Sequence, residues 1–368
     1  MNEQQGRLLV NLSFVGKKPT GLATYALNLL PELALENPVA LTPTGQTLGD
    51  GICAHPIPAN LTPEQGKLGH FRRLVWTQMQ VPRLYRQWRS PLLFSPIPEA
   101  PLGTGCRFVV TMHDLIPLRF PSWRSPLTHY FRHYVPLVLQ QAQHILCNSE
   151  STAKDVHERF QIPAHKLTPI PLGYDAQHFR WLDLPSESPQ GDRYFLYIGR
   201  LDPYKNLQRL IQAFANARLV DQQLWIAGSA DPRFTPILKS QVEELGIAHQ
   251  VKFLDYVPYQ DLPELINRAI ALVFPSLWEG FGLPVLEAMA CGTPVITSNL
   301  SALPEVAADA ALLIDPYQVD SLTDALRQMA MDGELRSQLR SAGLARAQQF
   351  SWAKTGAKTR DVLRNYLK

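Results

Sequence analysis

A strand, a glycine-rich turn and the start of a helix follow one another within residues 270–295, and this run constrains the fold more than any other part of the chain. The apolar stretch Ile270–Pro275 is typical of a buried strand. The turn after it contains Gly280 and Gly282, and Pro284 stands near the first position of a helical pattern. Predicted strands and helices alternate in this order through the C-terminal half of the chain. This alternation predicts a parallel sheet with right-handed crossovers, and therefore an α/β fold.

The same turn predicts a binding site for a phosphorylated ligand. Backbone N–H groups at a helix N-terminus lack partners inside the helix and lie at the positive end of its dipole, which suits a phosphate or diphosphate. Glu279 precedes the glycines and Glu287 lies about one turn into the helix, so both carboxylates can face one ligand. Carboxylates repel phosphate but accept hydrogen bonds from hydroxyls. The pattern therefore predicts a ligand with both groups, a nucleotide-sugar.

Length and composition indicate a soluble protein with two domains. The chain has 368 residues, of which 45% are hydrophobic and 18% charged. The polar start, Met1–Arg7, lacks the apolar segment of a signal peptide, and no apolar run approaches the roughly 18 residues of a spanning helix. We therefore expect a cytoplasmic protein. The four cysteines are far apart and form no Cys-x-x-Cys pair, so we expect neither a zinc site nor a disulfide framework.

Residues 67–132 are strongly basic. They contain ten Lys or Arg against two acidic residues, Glu99 and Asp114. Five aromatic residues of this region lie among the basic ones: Trp76, Tyr85, Trp88, Trp123 and Tyr130. Either the basic residues form a solvated face over an aromatic core, or the region meets anionic lipid headgroups, where each basic residue contributes about 1 kcal/mol and aromatic rings settle at the interface. The second interpretation predicts peripheral association with the inner face of the plasma membrane.

The N-terminal half begins like a Rossmann-like domain. The apolar run Leu8–Leu12 predicts a first strand, and the loop after it ends at Gly21, where a helical pattern begins. A later buried strand, Phe108–Met112, ends at His113 and Asp114. Open α/β sheets bind ligands at the C-terminal ends of their strands. We therefore predict that His113 is a site residue, and that Asp114 either orients its imidazole or caps the next turn.

The segment Ser186–Asp192 is the part of the chain most typical of a linker. This places one Rossmann-like domain over residues 1–185 and a second over residues 192–350. In the second, Arg200 and Lys205 follow a predicted strand. Fixed cations there could stabilise the negative charge that develops on a diphosphate when its bond to a sugar breaks, Arg as a planar fork and Lys as a mobile point charge.

These features resemble the signature of family 4 retaining glycosyltransferases of the GT-B fold. The resemblance rests on the Glu-x7-Glu spacing of Glu279 and Glu287, on Gly280–Pro284 between them, and on Cys291–Val295 and Ser301–Val306 after them. It implies an α/β, GT-B architecture: two Rossmann-like, doubly wound parallel-sheet domains that face a cleft. It also implies that the last helix, within residues 351–368, crosses back to the N-terminal domain.

The resemblance implies a role for each candidate residue. Arg200 and Lys205 match the basic pair that neutralises the donor diphosphate, Glu279 would hold hydroxyls of the transferred sugar, and His113 matches a histidine that reaches this sugar. These four are the predicted catalytic residues. Gly21 lies in a loop that in this family approaches the donor phosphate or the acceptor, so it either binds or merely turns the chain. The other predicted donor contacts are Gly280, Phe281, Gly282 and Leu283 at the diphosphate, Glu287 at the ribose, and Val257 at the base.

The resulting prediction is a retaining hexosyltransferase that works without a cofactor. Many glycosyltransferases of the other common fold hold a metal with an Asp-x-Asp motif, and this motif does not occur in the chain. GDP-mannose is the first choice of donor, because the pattern from His113 to Pro117 together with the C-terminal half looks like bacterial mannosyltransferases of polysaccharide assembly. A UDP-sugar such as UDP-glucose is the alternative. The expected acceptor is a glycan or a polyprenyl-diphosphate-linked glycan, and no nucleic-acid partner is expected.

Other classes of protein explain the sequence less well. A dinucleotide-dependent dehydrogenase should carry Gly-x-Gly-x-x-Gly in its first unit, and this chain does not. A periplasmic-type binding protein should begin with a signal peptide. A phosphorylase, a sugar-nucleotide epimerase and a non-catalytic sugar-binding protein stay open. Phosphate-dependent turnover, interconversion of the donor without acceptor, or glycan binding without nucleotide would reveal them.

Overall fold

The computed structural model describes residues 7–16, 20–43, 48–122, 125–184 and 194–367. Their contacts divide the chain into two compact units. Unit 1 comprises Met1–Gly173 and Trp352–Lys368, and unit 2 comprises Tyr174–Ser351. In these described ranges, no helix is both long and apolar enough to cross a membrane.

Unit 1 is built on a parallel sheet of seven strands among the described residues, in the order β3-β2-β1-β4-β5-β6-β7. The strands are β1 (Leu9–Asn11), β2 (Val39–Pro43), β3 (Cys53–Ile57), β4 (Leu93–Ser95), β5 (Phe108–Met112), β6 (His144–Cys147) and β7 (Leu167–Pro169). Every residue of β1, β2, β4, β5 and β6 is buried, as expected for a parallel sheet covered on both faces. The strand order reverses between β1 and β4, which makes the sheet doubly wound.

Helices connect these strands. The α-helices of unit 1 are α1 (Gly21–Leu29), α2 (Gly66–Met79), α3 (Val81–Gln87), α4 (Ile116–Arg119), α5 (Pro126–His129), α6 (Val135–Gln141), α7 (Glu150–Phe160) and the last helix of the chain, α15 (Trp352–Leu367). A π-helical turn, Tyr130–Tyr134, joins α5 to α6. The chain breaks between α2 and α3 because Pro82, in the first turn of α3, cannot donate a backbone hydrogen bond.

Unit 2 contains a second parallel sheet, with six strands among the described residues in the order β10-β9-β8-β11-β12-β13. The strands are β8 (Tyr194–Ile198), β9 (Gln223–Ala227), β10 (Val251–Asp255), β11 (Ala271–Phe274), β12 (Val295–Ser298) and β13 (Leu312–Ile314). The helices are α8 (Leu207–Ala217), α9 (Thr235–Glu244), α10 (Leu262–Asn267), α11 (Leu283–Ala290), α12 (Leu303–Ala307), α13 (Val319–Met331) and α14 (Gly333–Ala347). The predicted α/β fold with two Rossmann-like sheets is confirmed.

The contacts change from unit 1 to unit 2 at Gly173, earlier than the linker predicted over residues 186–192. That linker lies outside the described residues, as does the start of the chain through residue 6. The residues just after Gly173 belong to unit 2 because they pack on it. The His178 ring stacks on Tyr259 with 4.0 Å between centroids, and the Tyr259 hydroxyl donates a hydrogen bond to Asp175 at 3.3 Å.

The last helix, α15, packs on the N-terminal part of the chain, as predicted. Arg364 on this helix forms a 2.8 Å ion pair with Glu36, and the Thr355 hydroxyl donates a hydrogen bond to the Pro171 carbonyl at 2.8 Å. The helix approaches so closely that a Cβ on Gly356 would collide with the side chain of Glu32. Thus α15 is an integral part of unit 1.

Candidate functional site

The candidate site lies where the strand order of unit 2 reverses. Strands β8 and β11 are neighbours at this point, although they are far apart in sequence. Arg200 follows the end of β8 and Glu279 follows the end of β11, so both lie at the C-terminal edge of the sheet. Doubly wound sheets bind ligands at this edge and at this position in the strand order.

Two of the predicted catalytic residues form an ion pair at this edge. The Lys205 Nζ atom lies 2.6 Å from Oε1 of Glu279, and each side chain is 11% exposed. Nζ also lies 5.2 Å from the centre of the Tyr204 ring and 5.1 Å from that of Phe274, within cation–π range. The ammonium group is therefore held between two rings and a carboxylate. A phosphate that binds Lys205 must share the ammonium with Glu279 or displace it.

Two hydrogen bonds to main-chain carbonyls explain how Lys205 and Glu279, which are 74 positions apart in sequence, come together. A 3-10 turn, Pro203–Lys205, follows β8, and the Leu277 amide donates a hydrogen bond to the Tyr204 carbonyl at 2.8 Å. The buried side chain of Asn206 donates a hydrogen bond to the Pro275 carbonyl at 3.1 Å. These bonds tie the turn after β8 to the loop after β11.

Arg200 lies beside this ion pair but is more exposed. Its Nε atom lies 2.9 Å from the Asp202 carboxylate, and its side chain is 75% exposed. Its terminal nitrogen donates a 3.0 Å hydrogen bond to the Tyr204 hydroxyl. Since Tyr204 also contacts Lys205, the structure brings Arg200, Lys205 and Glu279 into one polar cluster.

The glycine-rich turn ends at the N-terminus of α11. Gly282 has a φ of +111°, a conformation that requires glycine, and a Cβ there would lie 2.7 Å from a methyl carbon of Leu303, which would have to move. Among the described residues, the amides of Phe281, Gly282 and Leu283 donate no hydrogen bond. The Phe281 side chain is buried against Phe350, so only its backbone can serve a ligand. The turn provides the donors that the sequence predicted, and a bound phosphate remains a prediction.

Glu287 presents a carboxylate that the described residues do not neutralise. Its side chain is partly buried on α11 and makes no ion pair or hydrogen bond within the described part of the chain. Desolvation by burial, with a smaller contribution from the negative charge of Asp175, raises the pKa of Glu287 to about 7. Glu287 therefore offers an acceptor without a protein donor, which suits a ribose hydroxyl.

Val257 lies in unit 2 but is not part of the cluster, and Gly21 belongs to unit 1. Val257 follows β10, at the edge of the sheet and two strands from β8, and it is partly exposed. Gly21 is the first residue of α1 in unit 1, after the cap residue Thr20. A Cβ on Gly21 would meet no atom within 4 Å, and its φ is not positive, so neither packing nor backbone geometry explains the glycine. The roles of both residues stay predictions.

His113 is held through both ring nitrogens in unit 1. Its Nε2–H donates a hydrogen bond to the Pro96 carbonyl at 2.6 Å, so its Nδ1 accepts one from the Asn148 amide at 2.8 Å. The ring also packs edge-on against Tyr25 with 4.8 Å between centroids. Burial lowers the pKa of His113 to about 4, partly offset by the bond to Pro96, so the imidazole is neutral at pH 7. Contact with a sugar through either nitrogen requires exchange of one of these bonds.

Two polar residues beside His113 have structural roles that the sequence indicated only in part. The Asp114 carboxylate accepts a hydrogen bond from the Ile116 amide at 2.9 Å, which is the capping role and not the orienting one. The residue that orients the imidazole is Asn148, which sequence reasoning did not select. Its signal was the same as that of His113, because Asn148 directly follows the buried strand β6.

The described residues contain no group of three or more His, Cys, Asp or Glu side chains that could hold a metal ion. The expectation of a reaction without metal was based on the cations and the helix N-terminus, and it stays a prediction.

Two Rossmann-like sheets, with this polar cluster and a glycine-rich helix start at the switch point of unit 2, are the architecture of a glycosyltransferase of the GT-B class. Two family models match the chain: "Glycosyltransferase Family 4" over residues 19–178 and "Glycosyl transferases group 1" over residues 183–346. Together with the relatives described next, these matches show that the chain belongs to the family 4 glycosyltransferases.

Among the curated relatives is O-antigen chain mannosyltransferase B of Escherichia coli, which is 32% identical over 302 residues, 78% of this chain and 76% of that protein. O-antigen chain mannosyltransferase RfbU of Salmonella typhimurium is 25% identical over 343 residues, 88% of this chain and 90% of that protein. Among solved structures, Anabaena Alr3699/HepE in complex with UDP and glucose superimposes with a TM-score of 0.75 at 19% identity, covering 98% of this chain and 99% of that one. This last likeness confirms the GT-B fold alone.

Proposed function

We propose that this protein is a retaining, metal-independent mannosyltransferase that takes its sugar from GDP-mannose. The observation that carries the proposal is the cluster of Arg200, Lys205 and Glu279 at the switch point of unit 2, next to the start of α11, where the amides of Phe281, Gly282 and Leu283 donate no hydrogen bond among the described residues. Its two basic side chains and its backbone donors suit the diphosphate of a nucleotide-sugar.

In this proposal the donor diphosphate lies against Arg200, Lys205 and the amides of residues 280–283. Lys205 is already held at this edge by its two aromatic neighbours, so little reorganisation is needed when negative charge develops on the leaving phosphate. Glu287 accepts hydrogen bonds from the ribose. The loop at Val257 contacts the base through its backbone.

Glu279 has two partners in this proposal, the Lys205 ammonium and the hydroxyls of the transferred sugar. A carboxylate can accept several hydrogen bonds, so the second oxygen of Glu279 serves the sugar while Oε1 stays at Lys205. His113 contacts the same sugar as a neutral imidazole. It acts by position and hydrogen bonding, because its lowered pKa keeps it uncharged at pH 7.

The reaction keeps the anomeric configuration in this proposal. The bond from the anomeric carbon to the diphosphate oxygen breaks, and the electron pair leaves with the diphosphate. The acceptor oxygen attacks the same face, and its proton passes to the departing phosphate oxygen. An ion pair with Lys205 leaves Glu279 poorly suited to act as a covalent nucleophile, which favours this route.

The choice of mannose comes from the relatives, two of which are named O-antigen chain mannosyltransferases. A UDP-sugar such as UDP-glucose is the alternative, and the fold is shared with a protein solved with UDP and glucose. The relatives also favour an acceptor in cell-surface polysaccharide assembly, a glycan or a polyprenyl-diphosphate-linked glycan. We further propose that the enzyme acts in the cytoplasm and that the basic region of residues 67–132 meets an anionic membrane surface.

The first test is a thermal-shift screen with GDP, UDP, ADP and TDP, each with and without EDTA, because a ligand that binds only the folded protein raises its melting temperature. We expect a shift with GDP that EDTA leaves unchanged and that Lys205→Ala removes. Lys239→Ala is a matched control, since Lys239 also lies over an aromatic ring but on α9. A shift with UDP alone would indicate that the donor is a UDP-sugar and would leave the proposed binding site unchanged.

The second test is turnover. Release of GDP from GDP-mannose should depend on a mannose-containing glycan acceptor, and the product should carry the α-linkage of the donor when examined by NMR. An activity that EDTA abolishes and manganese restores would contradict the metal-independent mechanism. No shift with any nucleotide, together with unchanged melting of Lys205→Ala and Glu287→Ala in their presence, would contradict the proposed site.

A further inference from the structure

Helix α2 has its polar and apolar faces reversed. A surface helix of a globular protein normally buries its apolar stripe and exposes its polar face. In α2 the buried residues are Gly69, Arg73 and Thr77, four positions apart along one face. The exposed side chains on the opposite side are large and apolar: Leu68 (55% exposed), Phe71 (62%), Val75 (46%) and Met79 (56%).

A buried ion pair fixes this orientation. The Arg73 Nε atom lies 3.1 Å from both carboxylate oxygens of Glu99, which is fully buried after β4. Thr77 donates a 3.0 Å hydrogen bond to the same carboxylate, and an Arg73 terminal nitrogen lies 2.7 Å from Nδ1 of His70. Rotation of α2 to bury its apolar stripe would leave the Glu99 charge buried without its partner. The apolar stripe is therefore held at the surface.

The surface around the stripe is positively charged. Residues 65–98 contain no Asp or Glu. The exposed basic residues on α2, on α3 and just after α3 are Lys67, Arg72, Arg83, Arg86 and Arg89. Within the described part of the chain, none of the five forms an ion pair with an acidic residue. The apolar stripe is thus flanked by positive charge that the described residues do not neutralise.

Four of the five aromatic residues that lie among the basic residues of 67–132 do not contribute to that surface. Trp76, Tyr85, Trp88 and Tyr130 pack against the core of unit 1, and Trp123 lies outside the described residues. Arg73 is likewise buried. The interpretation of the aromatic residues as core residues is therefore correct for these four, and any interfacial function has to come from the aliphatic side chains and Phe71.

We propose that the outer face of α2, formed by Lys67, Leu68, Phe71, Arg72, Val75 and Met79, is the element that docks this enzyme on an anionic lipid bilayer. The helix lies in the interface plane, its apolar side chains enter the headgroup region, and the basic residues of α2 and α3 contact lipid phosphates. The charge favours anionic lipid over an apolar protein partner, because both the rim and the adjacent helix are basic. This inference rests on the proposed membrane association and is independent of the donor.

Co-sedimentation with vesicles tests the proposal directly. One set contains phosphatidylcholine alone and the other an equimolar mixture of phosphatidylcholine and phosphatidylglycerol. We expect binding to the anionic set only. The double variant Phe71→Ser, Val75→Ser should weaken it about tenfold or more, and Arg72→Glu should weaken it about fivefold or more for the lost charge.

Matched controls separate the face from general surface effects. Leu35→Ser removes another exposed leucine of unit 1, 72% exposed, and Arg159→Glu reverses another exposed charge on α7. Both should bind vesicles like the parent protein. All variants should keep the thermal shift with nucleotide, which shows that they are folded and separates this inference from the donor site.

Two results would overturn the proposal. The first is anionic-vesicle binding that the Phe71→Ser, Val75→Ser and Arg72→Glu variants retain in full. The second is absence of vesicle binding combined with concentration-dependent self-association of the parent protein in sedimentation equilibrium, abolished by the double variant. That outcome would make the stripe a contact between two copies of the chain.

Discussion

The replacement Glu287→Gln should stabilise the protein at high pH and weaken nucleotide binding at the same time. Desolvation and the nearby Asp175 raise the pKa of Glu287 from its ordinary 4.5 to about 7. The neutral carboxyl is therefore favoured in the folded state. The stabilisation of the folded state by this neutral carboxyl is complete below pH 4.5. It is lost as the pH rises through 7, where the buried group must ionise.

The size of the effect follows from this difference in pKa. Each unit corresponds to 1.36 kcal/mol, so ionised Glu287 lowers the free energy of unfolding by about 3 kcal/mol at pH 8 and by less than about 1 kcal/mol at pH 5. Glutamine has the same shape but does not titrate. Glu287→Gln should therefore raise the free energy of unfolding by about 2–3 kcal/mol at pH 8 and change it little at pH 5.

Urea unfolding at several pH values between 5 and 8 measures this change in the free energy of unfolding. The transition to use is the one that added nucleotide moves to higher urea concentration, because that transition reports the unfolding of unit 2. Glu243→Gln on α9 is the control, an exposed glutamate whose replacement should leave the pH dependence unchanged. The affinity for GDP should fall in the parent protein below pH 7, as the carboxylate is protonated, and should be low and independent of pH in Glu287→Gln. Equal stabilisation by Glu287→Gln at pH 5 and pH 8 would refute the reasoning.

Three further changes probe the rest of the site. Asn148→Asp should let a carboxylate accept a hydrogen bond from Nδ1–H of His113 and so raise the imidazole pKa. Nitrogen NMR of the parent protein should show the Nε2–H tautomer of His113. The Nδ1–H tautomer there would contradict the assigned hydrogen bonds. Gly282→Ala should destabilise unit 2 by about 1–3 kcal/mol and remove the thermal shift, because alanine must adopt a φ of +111°. Lys205→Met should lower the free energy of unfolding by about 3–5 kcal/mol, because Glu279 stays buried without its partner. Adding Glu279→Gln should restore most of the stability but no transferase activity. A Lys205→Met variant as stable as the parent protein would show that the ion pair is solvated.

The parts of the site that follow a strand end could be predicted from the sequence, because the position of a ligand in a doubly wound sheet depends on topology alone. Arg200 and His113 were selected in this way, whereas Glu279 and the amides at Gly282 were selected from the glycine-rich turn before a helix; the roles of all of them stay predictions. The hydrogen-bond partners of His113 could not be assigned from the sequence, because they come from neighbouring strands. The bonds from His113 to Pro96 and Asn148 join the ends of β4, β5 and β6, and only the strand order shows that these ends are adjacent.

Helix α2 shows the same limit for a surface. A sequence pattern with apolar residues on one side predicts that this side is buried, and for α2 that inference is wrong. The reason is the partner of Arg73, Glu99, which is 26 residues further along the chain and fully buried. An ion pair across that separation leaves no periodicity in the sequence. The charge count drew attention to the region, but the residues that form its surface required the structure.

The electrostatics of the two units favour a reaction driven by stabilisation of the leaving group. Lys205 is a fixed cation at the proposed diphosphate site, whereas His113 is neutral and bonded through both nitrogens, so it is poorly placed to take a proton from the acceptor. Glu287 titrates near pH 7, but its proposed partner is the ribose and not the reacting bond. In the proposed mechanism the acceptor proton therefore passes to the departing phosphate. The affinity for the donor should then depend on pH through Glu287. The turnover rate at saturating GDP-mannose should be independent of pH.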